Sequence, residues 1–326
     1  MSWNMIRRVF CAALVAGPIA FVAPANAENY PERPITMIIM SSEGGGMDRA
    51  SRYVGDALSE VLGQPMRYVN RGGASGQIAL KSFLASKDDG YTIFSGNVPT
   101  LLLGYGSQTQ DFVIEEELAW LGAYLDDPAI LAAAAKSDYQ NASDLIADAK
   151  TNPIRVGVAN WSSVQTLALL QLAEETGAQF EIIPFSGFKK AAAAMLAQDI
   201  EAAVGNFSAV EGLGEEARAL GIFAPSAPNA RYTPLEDQLN VPVFAASSNR
   251  ALAVHESLKE SHPDRYDALL SAYQQVATNP EFAADFGKIR AKPSQIISWG
   301  EEEVEMVSAN ILALLEQYRS LFEQGS

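Results

Sequence analysis

The chain has 326 residues, with 23 lysines and arginines against 39 acidic residues and a single cysteine. A net charge of −16 repels nucleic acid and anionic lipid at long range, so neither is a partner, and an anionic small ligand needs a locally built site. The lone thiol, Cys11, lies near the N-terminus, which leaves the rest of the chain without disulfides, metal thiolates or thiol catalysis.

Residues 1–27 read as a secretion signal: Arg7 and Arg8, an apolar stretch over 9–23, then Ala25-Asn26-Ala27 before Glu28. Cleavage is expected after Ala27, with export to the periplasm. The other reading, a retained anchor, is opposed by Gly17, Pro18 and the short apolar run. Arg7-Arg8-Val9-Phe10 partly matches a twin-arginine signal, so the general and twin-arginine routes both stay open. Cys11 lacks the leucine three residues earlier that a lipoprotein site wants. Removing 27 residues leaves 299, enough for two medium α/β lobes, and takes two arginines away, leaving 21 basic against 39 acidic residues, or −18.

In chain order, β-branched or aromatic runs predict strands at 35–40, 66–69, 92–95, 129–133, 155–159, 181–184, 202–204, 221–224 and 251–255. Helical stretches alternate with them at 48–62, 77–85, 142–149, 164–176 and 189–197, the pattern of parallel sheets built from βαβ units. The last third is mostly helical, over 263–277, 280–288 and 301–322. Two short polar stretches, 124–128 and 245–249, suit crossings between lobes. They would make residues 28–125 and 247–326 one lobe and 126–246 the other. The acid pairs Asp126-Asp127 and Asp88-Asp89 fit turns.

Ser41-Ser42-Glu43-Gly44-Gly45-Gly46-Met47-Asp48 falls between the first strand and the first helix. Three glycines let the backbone turn tightly, and a helix start offers unpaired N–H groups with a partial positive charge, so the segment suits an anion. Its plainer reading is a tight turn with Asp48 as cap. On the binding reading Ser42 and the N–H groups of Gly45, Gly46 and Met47 hold a carboxylate. Each charge-assisted hydrogen bond is worth about 1.5–3 kcal/mol and micromolar affinity needs about 8, so one loop is not enough.

Asn160-Trp161-Ser162-Ser163 repeats the strand–loop–helix arrangement and is expected to supply the second half of the grip, Trp161 either stacking on the ligand or shielding a hydrophobic edge. Phe185, Ser186 and Gly187 form a third rim, Asn206 follows another strand, and Ser95 and Asn97 follow a first-lobe strand. Each could instead satisfy backbone groups only. Arg71, Arg250, Lys189 and Lys190 are the candidate cations. Glu43 opposes a simple carboxylate site: like charges about 5 Å apart at a dielectric near 20 repel by roughly 3 kcal/mol. It points to solvent, is neutralised by Arg71 or Arg250, or, with Asp48, meets a cationic or hydroxyl part of the ligand.

Catalysis finds little support. His255 and His262 have no metal-site spacing, Gly73-Ala74-Ser75-Gly76-Gln77 lacks the last glycine of a nucleophile elbow, and Gly44-Gly45-Gly46 has no phosphate-loop lysine.

Several blocks together resemble the periplasmic solute-binding receptors of tripartite tricarboxylate transporters, the Bug or TctC-like family. They are Tyr30-Pro31-Glu32-Arg33-Pro34-Ile35, Gly45-Gly46-Met47-Asp48, Asn70-Arg71-Gly72-Gly73-Ala74-Ser75-Gly76, Asp89-Gly90-Tyr91-Thr92, Pro184-Phe185-Ser186-Gly187 and Asn249-Arg250-Ala251-Leu252. The resemblance implies an α/β, two-lobed, type II-like periplasmic binding protein with two crossovers and the ligand in the interlobe cleft. It also implies a cofactor-free, monomeric receptor, not an enzyme, that captures a small organic carboxylate such as a di- or tricarboxylate, an aromatic acid or an amino acid. The receptor would deliver that ligand to separate membrane transporter subunits. The alternatives are a ligand-sensing subunit for a sensor kinase and a carboxylate-based hydrolase.

Overall fold

The computed structural model describes residues 30–106, 113–226, 231–285 and 295–324; the expected signal segment and the end of the helix predicted over 280–288 lie outside them. The first elements are β1 (Ile35–Ile39), α1 (Gly46–Leu62), β2 (Met66–Asn70), α2 (Gln77–Leu84), β3 (Thr92–Asn97), α3 (Val98–Gly106), α4 (Ile114–Glu117) and β4 (Leu118–Ala134). There follow α5 (Ala142–Ala149), β5 (Ile154–Val158), α6 (Val164–Thr176), β6 (Phe180–Pro184), α7 (Phe188–Ala197), β7 (Ala202–Asn206), α8 (Phe207–Glu211), β8 (Ala217–Ile222) and α9 (Leu235–Leu239). The chain continues through β9 (Ser247–His255), α10 (Leu258–Ser261), α11 (Pro263–Ala277), α12 (Pro280–Asp285), β10 (Ile296–Trp299), α13 (Glu301–Gln317) and α14 (Arg319–Gln324).

The strands run β2-β1-β3-β9-β4-β7-β5-β6 in one sheet, with β8 and β10 pairing β4 off this path. Each flank is parallel, β2-β1-β3 and β6-β5-β7, as βαβ units demand. The centre is antiparallel, because β9 meets both β3 and β4, and β4 meets β7. Strand β4 is the common member. Residues 118–128 pair with β9, and residues 129–134 pair with β7 and β8. It thereby joins a first half of the sheet, β2-β1-β3-β9, to a second, β7-β5-β6.

Local sequence explains most of this. In α1 the buried residues Ala50, Ser51, Val54, Gly55 and Leu58 recur at helical spacing, one face toward the sheet. Helix α6 is buried more widely, at Val164, Thr166, Leu167, Ala168, Leu169 and Leu172, since α3 and α13 also lie against it.

The stretches expected to cross between lobes are not turns. Asp126, Asp127 and Pro128 belong to β4, paired residue by residue with Asn249, Ser248 and Ser247 of β9. Asp127 is fully buried, which is tolerable because the Ser208 N–H and hydroxyl donate to it at 3.0 and 2.6 Å. The strand expected at 221–224 is displaced to Ala217–Ile222, and the long last helix breaks at Tyr318. The 118–128 part of β4, β10 and α3 were not expected.

Where β4 passes under α11 its register against β9 shifts at Gly122, whose φ is +140°. A Cβ there would lie 2.7 Å from Cζ of Tyr273, whose hydroxyl donates to the Trp299 carbonyl at 2.9 Å. Gly122→Ala adds backbone strain to a clash with a fixed ring and should cost about 3 kcal/mol or more, read as a lower midpoint in denaturant unfolding.

Candidate ligand-binding site

The loop after β1 is fixed by Asp48. As the third residue of α1 it turns its carboxylate back to accept the Gly44 N–H at 2.8 Å, Asn70 Nδ2 at 2.8 Å and Arg52 Nε at 2.9 Å. Asn70 also donates to the Ser41 carbonyl at 3.1 Å and accepts from Arg52 at 3.0 Å, so the end of β1, the start of α1 and the end of β2 are tied together. Burial pulls the Asp48 carboxyl up, but the hydrogen bonds from Asn70, Gly44 and Arg52 outweigh it and hold the group below its ordinary 3.8. Asp48 is thus neither the helix N-cap, which is Gly45, nor free for a ligand.

Gly45 makes no side-chain cap, so the first N–H groups of this 17-residue helix are left without side-chain acceptors. Arg250, from β9, donates to the Gly46 carbonyl at 3.2 Å. A Cβ on Gly46 would stand 3.6 Å from one guanidinium nitrogen of Arg250 and 4.0 Å from one of Arg49. Two guanidinium groups therefore flank the positive end of α1. The Nε of Arg250 is buried with no partner among the described residues.

From this corner Arg250 forms part of the wall of a cavity of about 270 Å³ between the two halves of the sheet. Asn97, Thr100 and Ser248 join it from the first half, and Asn160, Ser162, Ser163, Gln165, Phe188 and Asn206 from the second. The polar residues stand where strands hand over to helices. Asn97 precedes α3, accepts the Thr100 N–H at 3.5 Å and donates to Ser248 at 2.5 Å. Ser163 caps α6, accepting the Thr166 N–H at 3.3 Å. Asn206 opens α8 and accepts from Gln165 at 2.7 Å. Asp127 lies in the floor; burial pushes its carboxyl up, opposed by Ser208 and by the charge of Arg250.

Of the expected contacts, Asn97, Ser162, Ser163 and Asn206 line this cavity, Gly46 adjoins it through Arg250, and Gly45, the N-cap of α1, does not line it. Ser42 is exposed, packed against the backbone at Gly72. Ser95 is buried and bonds Ser51 at 2.9 Å beneath α1, because the strand alternates faces and this one meets the helix. Phe185 packs into the hydrophobic cluster of the second half, and Gly187 caps α7; neither they nor Trp161 line the cavity. The side chain of Glu43 is 81% exposed and lies 3.6 Å from Arg52, not Arg71 or Arg250, so water and a third arginine dissipate its charge. Asn160, in the loop expected to supply the second half of the grip, lines it too, whereas Thr100, Gln165, Phe188 and Ser248 were not among the expected contacts. Thr100 and Gln165 sit in the first turns of helices beyond flagged loops, and the Arg49 signal was its place one residue past Asp48.

A larger cavity, about 470 Å³, lies on the opposite face of the β4–β9 pair. The smaller one is the candidate site because helix starts and a partly unpartnered arginine meet there.

A mixed α/β fold with a polar cavity between two halves of its sheet is that of the periplasmic solute-binding proteins. The family described as tripartite tricarboxylate transporter family receptor matches residues 50–283, and this chain belongs to it, a family of receptors and not enzymes. Protein BugT of Bordetella pertussis is 30% identical over 251 residues, 75% of this chain and 77% of that protein. A TctC solute binding protein from Polaromonas, solved without ligand, has a TM-score of 0.74 at 23% identity, covering 88% of this chain and 99% of that one. An R. palustris protein solved with adipate has a TM-score of 0.70 at 19% identity, covering 88% and 97%. MatC of Rhodopseudomonas palustris, solved with malate, has 0.66 at 18%, covering 88% and 100%.

The Asp48 network carries a pH signature. A depressed carboxyl contributes stability that is fully present above the unfolded value near 3.8 and is lost as pH falls through the folded value. Asp48→Asn should cost about 2 kcal/mol at pH 7, and the gap from wild type should close on acidification below that range, measured as denaturant midpoints across pH.

Proposed function

We propose that this protein is a periplasmic receptor that captures a small organic carboxylate in the cavity between the two halves of its sheet and hands it to a tripartite tricarboxylate-type membrane transporter. The observation that carries the reading is the meeting of the α1, α3 and α6 starts with Arg250 in a chain whose overall charge repels anions. Such a protein can hold an anion only where dipoles and a local cation overcome the long-range field. Arg250 would take one carboxylate oxygen with its terminal guanidinium nitrogens and the open donors at the start of α1 another. The amides and hydroxyls of Asn97, Ser162, Asn206 and Ser248 would read the rest of the ligand. Relatives solved with adipate and with malate support a dicarboxylate as the first class to test.

Further parts of the reading come from the sequence. Residues 28–125 with 247–326 act as one lobe and 126–246 as the other, closing about the paired strands β4 and β9, with bound ligand favouring the closed form. The mature chain starts at Glu28 after export, and it works as a monomer.

Thermal unfolding against a panel of dicarboxylates, aromatic acids, amino acids and neutral solutes tests the reading. A ligand at 100 times its dissociation constant adds about 2.7 kcal/mol of stability. The expected result is a shift confined to one acid class, and no shift with any acid counts against it. By titration calorimetry Arg250→Gln should weaken the active acid about tenfold to a hundredfold, the loss of one charge-assisted hydrogen bond, while Glu43→Ala should change affinity less than twofold.

A further inference from the structure

Side chains alternate along β4 and β9, so the pair that floors the acid cavity with Asp127, Ser248 and Arg250 presents Asp126, Pro128 and Asn249 to its other face. There the 470 Å³ cavity opens, walled by Phe207 and Phe223 from the second half of the molecule and by Trp299 and Val307 from the first. Among the described residues Asp126 is its one charged wall residue. Ser247 and Asn249 both donate to the same oxygen, Oδ1, and Oδ2 has no protein partner among the described residues. That oxygen is free to pair with a cation entering a cavity whose other walls are largely apolar.

We propose that this cavity is a second ligand site, for a small amphipathic organic cation: an ammonium group paired with Asp126 Oδ2 and an apolar body against Trp299, Phe207 and Phe223. A hard metal ion does not suit it. Such ions need six or more oxygen ligands, and the described residues hold no cluster of three acids or histidines. An alkylammonium needs one anion, and the face of an indole adds to the attraction. The acidity of the whole chain, which works against an acid in the other cavity, draws such a cation in.

The second site has a mechanical consequence. Its walls come from both halves, and its floor is the reverse of the strands that floor the acid cavity. A body seated there changes how far the two halves can rotate about β4 and β9. Cation and acid therefore alter each other's affinity by the same factor, a reciprocity required of any two sites linked by one equilibrium. The coupling rests on the proposed carboxylate reading; cation binding does not.

Calorimetric titration of the purified protein with phenethylammonium, and with 2-phenylethanol as neutral isostere, provides the test. The expected result is saturable one-to-one binding of the amine, at least tenfold tighter than the alcohol, and weakened at least tenfold in Asp126→Asn. Val307→Trp fills the cavity from a half-buried helix position outside the Asp126 hydrogen bonds, and should abolish binding even if Asp126→Asn folds poorly. No saturable binding, equal affinity for the alcohol, or affinity unchanged in Val307→Trp overturns the proposal. Titrating the active acid with and without saturating amine reads the coupling, expected as a severalfold change in its dissociation constant. Amine binding with no acid binding would strike the carboxylate reading alone, and acid binding without amine binding would strike this one alone.

Discussion

The pairing of β4 with β9 is the constraint on which the rest of the molecule depends. Seventeen residues of unbroken strand let one segment serve both halves of the sheet, and its partner returns the chain antiparallel along the first of them. Both strands at the junction are hydrogen-bonded to each other, so the halves of the sheet are joined through a two-stranded ribbon. Two acids are embedded in it, and each is held by donors from residues more than 80 positions away: Asp127 by Ser208, Asp126 by Ser247 and Asn249. The ribbon thus carries polar side chains on both faces at the place where the two halves meet.

The candidate site gathers helix starts and an arginine inside an acidic protein. The arrangement brings helix starts to one cavity as a consequence of topology: parallel strands on either side of the centre all end toward it, and each hands over to a helix there. The dipoles are a by-product of the fold, and Arg250 is the side chain added to them. Asp48, whose polarity suggested ligand contact, and Asn70 hold the loop so that the helix start stays open.

Much of this was legible from local pattern. Strands β1, β3, β5 and β6 and helices α1, α2, α5, α6, α7 and α11 follow from β-branched runs or helical spacing, whose burial depends on neighbours close in sequence. The first part of β4 was not legible, since Gly122 and Asp126-Asp127-Pro128 read as breakers by every local rule. Only partners far along the chain, Tyr273, Ser208 and β9, make that segment a strand. The site divides the same way. Asn97, Ser162, Ser163 and Asn206 could be found because loops after parallel strands are where ligands gather. Phe188 and Ser248 could not, since their place at the wall is set by how the halves face each other. Ser95 misled because it lies two residues short of Asn97 on the same face of β3, where α1 covers it and Ser51 bonds it.

The uncapped start of α1 has one more consequence. A donor that belongs to the backbone is carried by nineteen of the twenty residue types, since only proline lacks the N–H. A recognition surface made this way is indifferent to most substitutions at its own positions, so side chains around it can drift while the donors stay in place. What such drift cannot change is the path of the chain from Ser41 to Asp48. The fold is therefore free to be inherited at low sequence identity and retuned to new solutes by the side chains opposite, with proline the one residue barred from the turn's donating positions.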